Sequence, residues 1–260
     1  MQYHEVKLNF TFEGLSIMAD TGVNAASDAD LGALSLWVDY VYLDTDERRR
    51  FAQVSHEYLI TQVQWTGDET ANLPKLPASG NAATGTTTQN LRLNLNHPCK
   101  YLAWVFANPN KHGHIAGNAI TRSVTSDFLA PLDSAKLQLN GHDRFASRYG
   151  TYFNYTQPWQ TMRALPRAGV YMYSFSLSPD QHQPSGSCNF SRIDNATLVL
   201  QYKSMVANTA LSAQSSSIAN VGSEHNTTQD CASLSALRVF AENYNVLRIM
   251  SGMGGLAYSN

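Results

Sequence analysis

Apolar residues fall on alternate positions over many short stretches of this chain, as expected of strands that bury one face. Residues 6–12 show the alternation clearly. Residues 101–106 are instead apolar almost without interruption, which is typical of a strand buried on both faces. Strands are predicted at residues 6–12, 34–43, 58–65, 91–95, 101–106, 137–139, 170–177, 196–202, 237–240 and 244–250.

Turn and cap signals separate these strands. The Asn140-Gly141 dipeptide is the strongest short-range signal for a β-hairpin. Asp44, followed by acidic residues, predicts the start of one short helix of about ten residues. Polar loops are predicted at residues 19–32, 68–90 and 204–235, and a flexible Gly-rich tail at residues 252–255.

Many short strands, long polar loops and almost no helix predict an all-β fold, an antiparallel β-sandwich or jelly roll. The composition agrees, because 43% of the 260 residues are hydrophobic and only 15% are charged. That is enough for one large domain, or one domain and part of a second. The many aromatic residues suit sheets and protein–protein interfaces.

Charge and targeting signals narrow the function. The net charge of −2 provides no basic groove, so direct nucleic-acid binding has little electrostatic support. No run of about 18 apolar residues predicts a membrane-spanning helix, and the first residues do not resemble a signal peptide. Five Asn-x-Ser/Thr sequons are attributed to chance in a Ser/Thr/Asn-rich chain rather than to glycosylation, at Asn9, Asn154, Asn189, Asn195 and Asn226.

The three cysteines, Cys99, Cys188 and Cys231, are widely spaced and odd in number. This argues against a disulfide framework and fits a reducing compartment, although one bridge stays open. Cys188 is interpreted as a small packing residue.

Two histidine-containing segments suggest a metal site or a catalytic site, but each lacks the other residues that such a site needs. His112-Gly113-His114 invites a cupin-type metal site, yet the first carboxylate downstream is Asp127, so a solvated loop is preferred. Asp180 and His182 form an acid–x–His pair without a visible nucleophile. We therefore predict no catalytic residue, no metal and no cofactor.

A turn explains the segment around His182 more simply. Pro184 fixes φ, Gly186 permits positive φ, and Ser185 and Asn189 can bond to local backbone.

Structural ion pairs are predicted for the remaining charged groups. Asp143 is paired with Arg144, and Arg192 with Asp194. The run Arg48–Arg50 is assigned to local pairing rather than to nucleic acid, because consecutive helical residues lie on different faces. The nearby acids are Asp39, Asp44, Asp46, Glu47 and Glu57.

Seven sequence blocks, in order, resemble the major capsid proteins of nucleocytoplasmic large DNA viruses, with those of algal and giant viruses most similar. The most characteristic is His182–Ala196, HQPSGSCNFSRIDNA, and another is Asn96–Val105, NHPCKYLAWV. The other blocks are residues 37–53, 56–60, 152–158, 169–177 and 244–252. The motif residues that the resemblance marks as structural are Asp44, Arg48, Arg49, Arg50, Asn96, His97, Pro98, Trp104, His182, Pro184, Ser185, Gly186, Asn189, Arg192, Asp194 and Asn195.

The resemblance implies two consecutive jelly rolls per chain. Residues 1–58 would then hold the last strands and the connecting helix of an incomplete first jelly roll, and residues 59–260 a complete second one. A fragment or a truncated gene product would explain this organisation. The family implies a homotrimer that forms a pseudo-hexagonal capsomer and tiles an icosahedral shell.

The same resemblance implies partners and a location. The expected partners are the chain itself, neighbouring capsomers and minor capsid proteins, without direct nucleic-acid contact or membrane insertion, although an internal viral membrane lies beneath such shells. The expected location is the virion, assembled in the host cytoplasm. Two alternatives stay open: a carbohydrate-binding jelly roll that uses Trp159 or Tyr155, and a cupin-like metalloenzyme.

Overall fold

The computed structural model describes residue 5 and residues 7–10, 35–72, 88–107, 131–166, 169–202 and 236–258. The chain divides into two compact units. The terminal unit comprises Met1–Thr61 and Tyr244–Asn260, and the central unit comprises Gln62–Asn243. The predicted loops at 19–32 and 204–235, and His112, His114 and Asp127, lie outside the described residues.

Strands dominate the described secondary structure. In chain order the elements are α1 (Thr45–Gln53), β1 (His56–Thr70), β2 (Thr88–Leu93), β3 (Pro98–Ala107), β4 (Leu132–Leu139), β5 (His142–Asp143), β6 (Arg148–Tyr149), a π-helical turn (Tyr152–Thr156), α2 (Gln157–Met162), β7 (Val170–Ser174), β8 (Cys188–Asn189), a 3₁₀ turn (Phe190–Arg192), β9 (Ala196–Tyr202), β10 (Ala236–Met250) and β11 (Met253–Leu256).

The strands form two sheets. One has the order β1-β10-β3-β7, with β8 on β3 and β11 on β10; the other has the order β2-β9-β4-β5, with β6 on β4. The registered pairs are antiparallel. The longer strands alternate between the two sheets in chain order, so most neighbours within a sheet are distant in sequence, which is the order of a jelly roll. These longer strands are β1, β2, β3, β4, β7, β9 and β10. The predicted fold class is confirmed.

Aromatic side chains from both sheets fill the core of the central unit. Trp104 on β3 stacks on Tyr171 of β7 at 6.0 Å between ring centroids and contacts Phe153 at 5.3 Å. Phe106, also on β3, meets Tyr202 of β9 edge to face at 5.6 Å, which joins the two sheets. The predicted double burial of this strand is confirmed, since Leu102, Trp104, Val105 and Phe106 are all buried.

The hairpin and helix predictions are also confirmed. Leu139 pairs with His142 across Asn140 and Gly141, whose φ angles of 51° and 82° are those of a two-residue hairpin turn. Helix α1 begins after Asp44, whose carboxylate accepts a hydrogen bond from the Thr45 N–H at 2.7 Å.

One strand, β10, replaces the two predicted at 237–240 and 244–250. The polar residues between them lie in a bulge: Glu242 is opposite Tyr101 and Asn243 opposite Cys99, so Lys100 is the extra residue on β3. Lys100 Nζ lies 2.9 Å from Glu242 Oε1, and the lysine side chain is only 4% exposed. Strand β10 continues through Glu242 because the charge of that side chain, which would otherwise interrupt the strand, is paired with Lys100.

The predicted flexible tail is wrong. Met253–Leu256 form β11, which pairs with β10 so that Met250 is opposite Met253. Ser251 and Gly252, with φ of 52° and 77°, form the connecting turn. A two-residue turn with positive φ at both positions matches strand twist, and this favours a hairpin.

The two most N-terminal strand predictions are not supported where the structure describes them. Residues 7–10 and 35–43 are irregular and exposed. A strand is defined by its hydrogen-bonded neighbour, and the paired strands described in the two sheets do not include these residues. The loop predicted at 68–90 is also shorter, because β1 extends to Thr70 and β2 begins at Thr88.

Helical structure at Tyr152–Met162 is a further difference from the expectation of almost no helix. Gln157 and Pro158 of this segment are buried, and Pro158 stands in the first turn of α2, directly after the π-helical turn. Within the described ranges, no helix is long and apolar enough to cross a membrane.

Trp104→Ala should lower the free energy of unfolding by about 3–5 kcal/mol, because it removes a fully buried aromatic side chain and leaves a cavity. Urea unfolding followed by circular dichroism measures this. Trp159→Ala is the matched control; its indole is 59% exposed, so we expect a change within about 0.5 kcal/mol. Equal losses in both variants would contradict the placement of the core.

Candidate functional site

The Asn96-His97-Pro98 turn begins the first motif, Asn96–Val105, and is joined by hydrogen bonds to the second motif, His182–Ala196. The His97 N–H donates to Ser191 Oγ at 2.8 Å, and the His97 carbonyl accepts from the Phe190 N–H at 3.1 Å. His97 is buried and has a φ of 66°. Pro98, which has no N–H, stands at the first position of β3 opposite Asn189.

The side chains of Asn189 and Gln64 support the contact between the two motifs: Asn189 bonds within the second motif and Gln64 bonds to the first. Asn189 Oδ1 accepts from the Ser191 N–H at 3.1 Å and so caps the 3₁₀ turn. Gln64 on β1 forms a double hydrogen bond with Asn96: Asn96 N–H donates to Gln64 Oε1 at 2.9 Å, and Gln64 Nε2 donates to the Asn96 carbonyl at 2.7 Å. The turn is thereby tied to β1 as well as to the second motif.

A serine-rich turn closes the loop that follows β7. The Ser185 hydroxyl accepts from the Ser178 N–H at 3.0 Å and donates to the Ser178 carbonyl at 3.2 Å. The Ser176 hydroxyl donates to the carbonyl of Gly186. Gly186 has a φ of 128°, and an added Cβ would lie 3.1 Å from the Phe175 carbonyl oxygen.

The end of the second motif holds the β4–β5 hairpin. Asn140 N–H donates to the Asn195 carbonyl at 2.7 Å, and Asn195 N–H donates to Asn140 Oδ1 at 3.1 Å. A hairpin residue and a motif residue 55 positions apart in the sequence therefore bind one another. Arg92 Nη2 reaches the Asp194 carbonyl at 3.5 Å, a long contact.

The ion-pair predictions were partly wrong. Asp143 contacts Lys136, at 3.1 Å, and Gln138 rather than Arg144. Hydrogen bonds from Gln138 and Lys136 keep the pKa of the Asp143 carboxyl below its usual value. Arg192 and Asp194, which the structure describes, are both exposed and form no ion pair with each other. A pair needs facing side chains, and this short turn does not supply them.

The arginine run lies on the exposed surface of α1. Arg49 is 3.6 Å from Asp46, one helical turn earlier. Glu57, predicted to serve the same run, instead bonds Arg248 on β10 at 2.7 Å. Arg48 and Arg50 form no ion pair with the described acids, so the local pairing is confined to one residue.

The remaining motif residues do not converge on a reactive centre. His182 and Pro184 are exposed, whereas Trp104 belongs to the core. Among the described residues, no group of three or more His, Cys, Asp or Glu side chains is arranged to hold a metal ion. Trp159 and Tyr155, the residues proposed for sugar binding, are exposed one helical turn apart.

Gln64 and Ser191 are the site residues that sequence reasoning missed. Ser191 had a signal, because an Asn two residues earlier is typical of a side chain that bonds the following backbone. No sequence signal marks Gln64, since its hydrogen-bond partner, Asn96, is 32 residues away in the sequence. The arrangement holds turns against strands by hydrogen bonds between their polar groups. We call this set of hydrogen-bonded turns the structural lock, because its role is to fix loops in place.

Fold and site together define a jelly-roll protein whose motif residues fix loops to the sandwich. The family model for the large eukaryotic DNA virus major capsid protein matches residues 47–255. The chain therefore belongs to this capsid protein family, and the resemblance seen in the sequence is confirmed.

Individual relatives agree with the family match. The major capsid protein of Paramecium bursaria Chlorella virus 1 is 48% identical over 285 residues, covering 100% of this chain and 62% of the relative. That of Pyramimonas orientalis virus is 41% identical over 283 residues, covering 100% and 56%. A quasi-atomic model of the PBCV-1 virus capsid aligns with a TM-score of 0.67 at 45% identity, over 85% of this chain and 56% of that one. The chain thus spans less than two thirds of the relatives it matches.

Gly186→Ala should destabilise the fold by about 1–3 kcal/mol, because alanine is strained at this φ and its Cβ meets the Phe175 carbonyl. Gly255→Ala is the control, since nothing lies within 4 Å of its added Cβ and its φ is not positive. Chemical unfolding of both variants tests the lock. A Gly186 variant as stable as the Gly255 variant would show that the turn is not held as described.

Proposed function

We propose that this chain is shell-building material of a virion: a structural, non-enzymatic part of a homotrimeric, pseudo-hexagonal capsomer that tiles an icosahedral capsid. The capsomers contact one another and minor capsid proteins, in a shell assembled in the host cytoplasm over an internal membrane. Membership of the capsid protein family supports the structural role.

The exposed apolar surface of the terminal unit is the observation that carries the proposal. Trp37, Val41 and Tyr42 are 91%, 86% and 90% exposed. None of the buried core cluster belongs to this unit. Exposed large apolar side chains that lie close together in the sequence favour a site that another protein covers.

The backbone of residues 35–44 supports the same conclusion. These residues alternate aromatic and branched side chains, as a strand does, but are described without strand partners. An unpaired segment of this kind is completed by the edge of another sheet. We therefore propose that residues 1–58 supply the last strands and connecting helix of a first jelly roll, and residues 59–260 a second one.

The central unit offers a different kind of contact surface. Trp159 and Tyr155 lie exposed on the helical segment after β6. Large aromatic side chains are enriched at protein–protein interfaces. The net charge of −2 allows many copies to pack together with little repulsion. We assign these aromatics to contacts between copies rather than to sugar binding.

Light scattering after size exclusion tests the trimer. The chain is co-expressed with the part of the Chlorella virus relative that it does not match. We expect the complex to have the mass of three copies of each. Trp159→Ala should shift it towards lower mass while leaving the melting temperature unchanged.

The outcomes separate the alternatives. A stable one-to-one complex that never trimerises would contradict the capsomer. Retention on a glycan array that is lost in the Trp159 variant, without assembly, would establish the carbohydrate-binding module instead. Stoichiometric metal in the purified chain would favour the cupin-like enzyme.

A further inference from the structure

Two cysteines stand directly opposite each other where the second motif meets the first. Strand β8 pairs antiparallel with the start of β3, and the register places Cys188 opposite Cys99. Directly opposed residues in antiparallel strands have Cα atoms about 4.5–5.5 Å apart and side chains on the same face. Disulfides span Cα separations of about 4.4–6.8 Å, so the backbone spacing suits a bridge without rearrangement.

The surroundings of the two thiols differ. Cys99 is fully buried in the core, and its Sγ–H donates to the Tyr101 carbonyl at 3.1 Å. Cys188 is half-buried and packs against that core, so it is the more exposed of the two residues. Both are free thiols. Burial raises the pKa of each, which keeps them protonated and slow to react near neutral pH.

We propose that Cys99 and Cys188 are a modification site, a dithiol that a peroxide converts into an intrachain disulfide. The sulfur of Cys188, the more exposed of the two residues, attacks the peroxide and breaks the O–O bond. This gives a sulfenic acid and releases one molecule of water, or of alcohol from an organic peroxide. The Cys99 sulfur then attacks the sulfenic sulfur and displaces hydroxide, which leaves as water with the Cys99 proton. Two thiols are oxidised by two electrons and the peroxide is reduced by two.

The bridge would add a covalent tie to the lock already described. Cys188 lies between the turn at Gly186 and the cap residue Asn189, both held by hydrogen bonds. A disulfide to β3 closes a long loop, which restricts the unfolded chain most strongly. The inference does not depend on the proposed capsid role, since it concerns a pairing within one chain.

Oxidation with hydrogen peroxide followed by non-reducing peptide mapping tests the site on the intact chain. We expect a Cys99–Cys188 cross-linked peptide, loss of two hydrogen masses from the intact protein, and a melting temperature raised by roughly 5–10 °C. A reducing agent should reverse all three. Cys188→Ser should abolish the cross-link, whereas Cys231→Ser, at a position outside the described residues, should retain it.

Two results would overturn the inference. The folded wild-type chain could keep both thiols free under conditions in which the same chain, unfolded in urea, is oxidised. Alternatively, mapping could find the bridge to Cys231 or between chains. Circular dichroism of the reduced variants shows whether they are folded. If they are not, the peptide map of the oxidised wild-type chain alone shows whether the Cys99–Cys188 bridge forms.

Discussion

The two sheets meet where Phe106 presents its ring edge to Tyr202, and the position of β3 makes that contact possible. This strand lies between β10 and β7, so both of its backbone edges are bonded while its side chains enter the core. Trp104, two residues from Phe106 on the same face of β3, stacks on Tyr171 of the adjacent strand. The polar motifs lie at the ends of this arrangement and hold the connecting turns to it.

Local chemistry made part of this structure predictable. The apolar run of β3, the strict alternation of β9 and the Asn140-Gly141 hairpin each carry their signal within a few residues. The cap at Asp44 does so as well. The fold class followed because jelly rolls consist of many short strands with such signals, and the family blocks added the order in which they occur.

Long-range partners account for what was not predicted. The strands predicted at residues 237–240 and 244–250 leave out Glu242, whose ion-pair partner, Lys100, is 142 residues away in the sequence. Residues 35–43 have the pattern of a strand, but pattern does not create a neighbour to pair with. In the site, the mutual bonds of Asn140 with Asn195 and of His97 with Ser191 depend on the folded topology, which brings together residues far apart in sequence.

The separation of paired strands along the sequence also constrains how the chain can fold. Asp68 on β1 holds Arg238 on β10 by two hydrogen bonds across 170 residues, and Gln89 meets Tyr202 across 113. Contacts this distant in sequence carry a large loop-closure cost and slow folding. During synthesis, β3 emerges from the ribosome long before the strand that covers its edge. Translation of β10 is therefore the event that permits the sheet to close, and apolar β3 must avoid aggregation until then.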